Sequence, residues 1–269
     1  MSHARTRPSA VILDLLRSAR SRRQTAAALI EAGALFGFTE NTMRVNLSRL
    51  MGRGIIDSPS RGLYALSRRT DALNDFVERW RLGEDRVRPW QPGQWLFAHT
   101  GAAAESSRWT LSALGFREVR AGLLARPDNL TLDLDALRQL AGGLGLDPGV
   151  LLLSGAPEGG TIPSGWLDAW QPRKLNAAYA DALSRLADSA RRLNDLAPAE
   201  ARLECFTLGG EMIHRLAKDP LLPAELVDVD ARAALWQAML DYDRQGKEIW
   251  ALANKHELTH MPRPQLATA

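Results

Sequence analysis

A single cysteine, Cys205, in 269 residues removes intrachain disulfides and every multi-cysteine zinc or iron–sulfur site. Long apolar runs are missing as well. The longest stretch without a charged side chain, Pro89–Ala104, is broken by Pro92, Gly93, Gln94 and His99. It cannot cross a bilayer, which takes about 20 mostly apolar residues. The first residues, Met1-Ser2-His3-Ala4-Arg5, lack the apolar core of a secretion signal. The low apolar content of disordered chains is absent too: 45% of residues are hydrophobic and 24% charged, values of a folded protein. The length exceeds one typical domain, so two or three are expected. These absences together predict a reduced, cytoplasmic protein with no membrane partner.

Acidic side chains are scarce at the amino-terminal end. Residues 1–69 hold 12 arginines and only Asp14, Glu31, Glu40 and Asp57 against them, a net of +8. The rest of the chain carries 22 basic and 27 acidic groups, a net of −5, which brings the whole to +3. A basic front end on an acidic body is the electrostatic footprint of nucleic-acid binding, or sometimes of anionic membrane binding. A solvated arginine face with no ligand is the plainer reading.

Pattern favours nucleic acid. Ser9 is placed to cap a first helix with Ile12, Leu15, Leu16 and Ala19 on one side. A second helix is predicted over about 25–36, rich in alanine and closed by Gly37. A third opens at Thr39, with Glu40 complementing the helix dipole and Met43, Leu47, Leu50 and Met51 as its apolar side. The two-residue break at Gly37-Phe38 suits a helix-turn-helix. Two short β-prone runs follow, Ile55-Ile56-Asp57 and Leu63-Tyr64-Ala65-Leu66, around the turn Ser58-Pro59-Ser60-Arg61-Gly62. Three helices and a hairpin within seventy residues are the winged-helix plan.

Rotating the third helix by about 100° per residue sets Asn41, Arg44, Val45, Ser48 and Arg49 opposite the apolar side. Arginine can bond two acceptors on guanine, asparagine matches adenine, and a valine methyl meets that of thymine. Arg53, beside Gly52, and Arg61 at the hairpin tip are placed for phosphates. Asn46 falls nearer the buried side and is left out of the reading set.

Further on, residues 70–92 read as a helical linker. Residues 93–165 alternate strand and helix: a strand over 94–99, a helix over 105–114, a strand run over 119–126, a helix over 134–144 and a strand over 150–153, with a fourth strand hidden as a hairpin in 118–132. That order suggests a ferredoxin-like α+β domain. Residues 166–269 are helical, with Leu175, Tyr179, Leu183, Leu186, Ala190 and Leu193 on one apolar side and Leu235, Met239, Tyr242, Ile249 and Trp250 on another. Such a domain can be a self-contained bundle or a dimer interface. The expected fold class is therefore multi-domain α+β: an amino-terminal winged helix-turn-helix (1–69), a ferredoxin-like middle domain and an all-α carboxy-terminal domain.

Three motifs in register resemble the PaaX family, repressors of phenylacetic-acid degradation operons. They are Met43-Arg44-Val45-Asn46-Leu47-Ser48-Arg49-Leu50, then Leu114-Gly115-Phe116 with Gly122 and Arg126-Pro127-Asp128-Asn129-Leu130, then Asp219-Pro220-Leu221-Leu222-Pro223. The resemblance runs from about Ser9 to Trp250. It implies a GntR-like winged helix, a middle domain shaped like the small CRISPR-associated ferredoxin-fold nuclease, and a helical carboxy-terminal domain. It also implies a homodimeric repressor released from double-stranded operator DNA by an aryl-CoA thioester, typically phenylacetyl-CoA. One departure stands out: where the family commonly has a His and basic residues, this chain has Gly209-Gly210-Glu211-Met212-Ile213, with His214 displaced. The identity and site of the effector stay open, and a regulator that activates or senses a non-CoA ligand is the alternative.

Rival chemistry is thin. His256-Glu257-Leu258-Thr259-His260 has the H-E-x-x-H spacing of a zinc-dependent metallopeptidase. Only nine residues follow it, and Met261-Pro262-Arg263-Pro264 is expected to break the helix there. The first middle-domain strand ends at His99-Thr100-Gly101, where a nuclease of related shape would need a metal-binding carboxylate. Gly142-Gly143-Leu144-Gly145 precedes a strand instead of following one, which fails the dinucleotide pattern. Cys205 lies between Leu203 and Phe206 and reads as a buried thiol. His99 reads as a strand residue, and Trp95 and Trp109 read as core, with a lining role beside Arg108 for an aryl-CoA as the alternative. No catalytic residue, cofactor or metal is expected; the predicted site is Asn41, Arg44, Val45, Ser48, Arg49, Arg53 and Arg61.

Overall fold

The computed structural model describes residues 7–19, 22–101, 105–157 and 165–260, with side chains as far as Ala251. It is a mixed α+β protein, about 60% helical, with two small antiparallel sheets. Among the described residues no helix is long and apolar enough to cross a membrane.

The amino-terminal lobe contains α1 (Pro8–Ser18), β1 (Arg23–Thr25), α2 (Ala26–Leu35), α3 (Glu40–Gly52), β2 (Ile56–Ser60) and β3 (Leu63–Leu66). Pro8 takes the first position of α1, so the cap falls on Arg7 and not on Ser9 as expected; proline's fixed φ and missing N–H suit that position. Thr25 and Thr39 cap α2 and α3, their hydroxyls accepting from the amides of Ala28 and Thr42 at 3.2 Å. Gly37, at φ +76°, turns the chain out of α2, a conformation that costs a residue with a Cβ about 1–2 kcal/mol. Val11, Ile12, Leu15 and Leu16 of α1, Leu29 of α2, Met43, Leu47 and Leu50 of α3 and Ile56 form the lobe's core. Met51, expected on that side, is 40% exposed. It lies one residue past Leu50, a rotation that swings it off the stripe.

The sheet of this lobe has the order β1-β3-β2, all antiparallel. The turn is tighter than expected, because β2 runs on to Ser60 and only Arg61 and Gly62 (φ +74°) lie between the strands. Pro59 is tolerated because β2 is an edge strand and its register shifts between Asp57 and Ser60. β1, three residues with no apolar alternation, was not expected; only its pairing with β3 makes it a strand.

The expected linker is helical but not a solvated tether. α4 (Asp71–Glu78) and the 3-10 segment after it bury Asn74, Phe76, Val77, Trp80 and Arg86. Next come β4 (Trp95–His99), α5 (Glu105–Ala113), β5 (Arg117–Arg120), β6 (Leu123–Pro127), α6 (Leu134–Gly143) and β7 (Leu151–Gly155). The sheet order is β5-β6-β4-β7, every pair antiparallel. The run expected over 119–126 thus covers the end of β5, the turn and most of β6, a hairpin that turns at Gly122 with φ +74°. Trp95, Leu96, Ala98, Leu111, Leu124, Leu137, Ala141 and Leu152 join its core.

Three long helices complete the chain: α7 (Pro172–Arg192), α8 (Pro198–Ala217) and α9 (Val229–His260). Tyr179 and Leu186 of α7 with Leu193 just past its end, Leu208 and Met212 of α8, and Leu235, Met239 and Tyr242 of α9 share one apolar core with the middle sheet. The middle and carboxy-terminal motifs meet at this junction. Buried Arg126 donates to the carbonyls of Leu114 and, at 3.3 Å, Pro220, while Asn129 donates to the carbonyl of Leu221 at 2.7 Å. A Cβ on Gly115 would stand 2.8 Å from the Pro220 oxygen, so only glycine fits there. These motif residues hold two parts of the fold together.

Candidate nucleic-acid interface

One side of α3 is spent on the lobe's core and the other faces solvent. Met43, Leu47 and Leu50 are at most 3% exposed, while Asn41, Arg44, Val45, Ser48 and Arg49 are all exposed on the opposite side. Nothing among the described residues covers them. Asn46 lies at the boundary, half-buried, and donates to the carbonyl of Thr42 at 2.9 Å, so it belongs to the helix. Arg53 at the end of α3 and Arg61 at the hairpin tip are exposed as well.

The charge of this surface is almost all of one sign. On α3 the one acidic side chain is Glu40, and it holds Arg44: Nε and Nη2 of Arg44 both lie 2.7 Å from Oε1 of Glu40. Both side chains are about 60% exposed, so solvent screens the pair and its worth is only about 0.3–0.5 kcal/mol. Arg49, Arg53 and Arg61 form no side-chain hydrogen bond or ion pair with any described residue. Four guanidinium groups on an open helix face and the adjacent hairpin can therefore meet a polyanion at little internal cost.

One contributor escaped the sequence. Arg69 is exposed, and its Nη1 would lie 3.3 Å from a Cβ on Gly54, which puts its guanidinium beside the carboxy-terminal end of α3 near Arg53. The hairpin brings it back across the intervening residues, and no periodicity signals that return.

Other singled-out residues fall elsewhere. Trp95 is fully buried, its ring 5.6 Å from that of Trp90 and 5.8 Å from that of Trp170. Trp109, expected in the core, is 44% exposed, because its side of α5 faces Lys218, whose Nζ stands 5.8 Å from the ring centroid. Arg108 pairs with Glu118 at 3.1 Å. His99 is exposed at the end of β4. Cys205 is buried on α8, and desolvation pushes its thiol up to about 11, far from a reactive thiolate. The backbone of α9 reaches His260, but the side chains of His256, Glu257 and His260 lie outside the described residues.

The fold is thus that of a mixed α+β protein whose amino-terminal lobe turns an uncovered basic helix face outward. No protein-family model matches the chain, and no curated protein does. Among solved structures it is similar to the uncharacterized protein Rv0674 from Mycobacterium tuberculosis, with 28% identity and a TM-score of 0.57 over 91% of this chain and 97% of that one.

Proposed function

We propose that this chain is a DNA-binding transcriptional regulator. In this reading residues 1–69 are a winged helix-turn-helix with α3 as the recognition helix, residues 93–165 a ferredoxin-like domain, and residues 166–269 a helical domain. The observation that carries it is the exposure of Asn41, Arg44, Val45, Ser48 and Arg49 together on one side of α3. A helix of this width fits the major groove, where these side-chain types match base edges. Arg53, Arg61 and Arg69 neutralise phosphates and fix the register without reading sequence. The sheet order β5-β6-β4-β7 supports the ferredoxin-like reading of the middle domain.

The resemblance to PaaX repressors supports a more specific role: a homodimeric repressor of a catabolic operon, released by an acyl- or aryl-CoA thioester such as phenylacetyl-CoA. A two-fold dimer would bind two half-sites related by its own axis, and ligand would favour a geometry whose recognition helices no longer match them. The test is selection of bound sequences from a random duplex pool, followed by gel-shift titration with and without phenylacetyl-CoA. Enrichment of a two-fold-symmetric site that the thioester releases is the expected result. Binding that does not discriminate among sequences would overturn the regulator reading; a selected site indifferent to the thioester would overturn the effector alone.

A further inference from the structure

A cleft of about 830 Å³ separates the amino-terminal lobe from the helical part of the chain. α1, β1 and α2 form one wall; α4, α8 and α9 form the other. The lobes touch around it through side chains: Arg17 Nε to Asn74 Oδ1 at 3.2 Å, Arg22 to Asp75 at 3.3 Å, and the Phe36 ring against Phe206 at 5.0 Å. The volume lies within the range of small-molecule sites.

The lining is two-sided. Leu29, Ala32, Phe206, Ile213, Met239 and Trp250 supply apolar surface, and the rings of Phe206 and Trp250 stand 6.3 Å apart. Five basic side chains and four carboxylates also line it, a surplus of one positive charge. Arg81 is held by two carboxylates, Glu78 and Asp243, each at 2.8 Å, whereas Lys247 bonds Asp243 alone, at 2.7 Å, and keeps further N–H donors. Such a lining takes an apolar body with an anionic end that meets Lys247.

A second observation points to an occupant. Gly209 and Gly210 stand side by side inside α8, and both line the cleft, although glycine is a poor helix former. Packing does not require glycine at position 210, because a Cβ there would meet nothing within 4 Å. What a larger residue would take is the space of the cleft itself.

We infer that this cleft is a binding site for an amphipathic organic anion. An aromatic or acyl body seats against Phe206, Ile213 and Trp250, with the anionic end at Lys247. Occupancy bears on α1 and α2, against which α3 packs, and so sets how the lobe that carries α3 sits on the rest of the chain. That last consequence rests on the DNA-reading proposal; the site does not. The thioester proposed above belongs to the same chemical class.

The test uses the full chain, the aromatic sulfonate 8-anilinonaphthalene-1-sulfonate and its neutral analogue N-phenyl-1-naphthylamine, both read by fluorescence without DNA. Saturable one-to-one binding of the sulfonate is expected. Gly210→Phe should fill the space, weakening both probes about tenfold with far-UV circular dichroism and thermal midpoint preserved. Lys247→Met should weaken the sulfonate and leave the neutral probe unchanged. Unchanged binding in folded Gly210→Phe, equal loss of both probes in Lys247→Met, or no saturable binding by the parent chain would overturn the site. If Gly210→Phe does not fold, Gly210→Leu takes its place under the same criteria. Arg44→Ala should leave both probe titrations intact, so a failure of the DNA reading is separable from a failure here.

Discussion

The guanidinium of Arg44 rests on the carboxylate of Glu40 one turn earlier, 2.7 Å away, on an open helix face. In the proposed complex the same arginine reads guanine, so the internal pair and the DNA contact would compete for it. Glu40→Gln should release Arg44 and remove a charge that repels phosphate, raising operator affinity about two- to fivefold at fixed salt. Gel-shift titration checks this, and unchanged or weaker binding would take Arg44 out of the contact set.

Base-reading and phosphate-holding arginines should separate by experiment. Arg44→Ala or Arg49→Ala should cost about 1–3 kcal/mol of binding to the selected site and relax preference at one position. Arg53→Ala or Arg61→Ala should weaken all sequences alike and flatten the salt dependence by about one counterion. If Arg61→Ala changed discrimination between sequences instead, the assignment of the hairpin tip to phosphate would fail.

The seating of α3 depends on Gly33. A Cβ there would stand 2.6 Å from the sulfur of Met43, so α2 and α3 approach too closely for alanine. Gly33→Ala should destabilise the chain by about 1–3 kcal/mol despite alanine's better helix propensity. In a Met43→Ala background the same change should cost less, read by denaturant unfolding of the four-member cycle.

At the junction of the middle sheet and the helices, Asn129→Ala should leave the buried Leu221 carbonyl without its donor and cost about 1–3 kcal/mol. Arg126→Met should cost more, because it strips the donors from the Leu114 and Pro220 carbonyls at once. Burial pulls the Arg126 guanidinium down to about 9, so it stays charged at neutral pH, and its hydrogen bonds carry the contribution. Neither change should alter which DNA sequence is selected.

A pH dependence follows from Asp243. Burial raises its pKa, but hydrogen bonds from Arg81 and Lys247 outweigh that and hold the carboxyl below its ordinary 3.8. The folded value lies below the unfolded one, so the stability it contributes is complete above about pH 4 and is lost as pH falls through the folded value. Asp243→Asn should therefore cost about 1.5–3 kcal/mol at pH 7, with the difference from the parent shrinking below pH 4. A difference of constant size in urea titrations at pH 7 and pH 3 would contradict this.

What was legible in the chain was local. Thr25, Thr39 and Gly37 mark the ends of α2 and α3 because capping involves neighbours within one turn. Met43, Leu47 and Leu50 recur at helical spacing, and once they are buried the opposite side of α3 must face outward. The strands and helices of the middle region could be read from their spacing for the same reason. Two residues were expected inside and are exposed: Met51, at the edge of its helix's apolar stripe, and Trp109, whose ring lies beside Lys218.

Long-range contacts carried no such marks. β1 exists because β3 lies beside it, and Arg69 joins the basic surface because the hairpin folds back. Gly33 is glycine for the sake of a sulfur on another helix. Leu114, Arg126, Asn129, Pro220 and Leu221 converge through hydrogen bonds between segments up to 94 residues apart. The cleft has its walls on helices from opposite ends of the chain. Periodicity and capping record how a segment meets its surroundings, but not which distant segment supplies them; that pairing emerges only when the helices and sheets pack against one another.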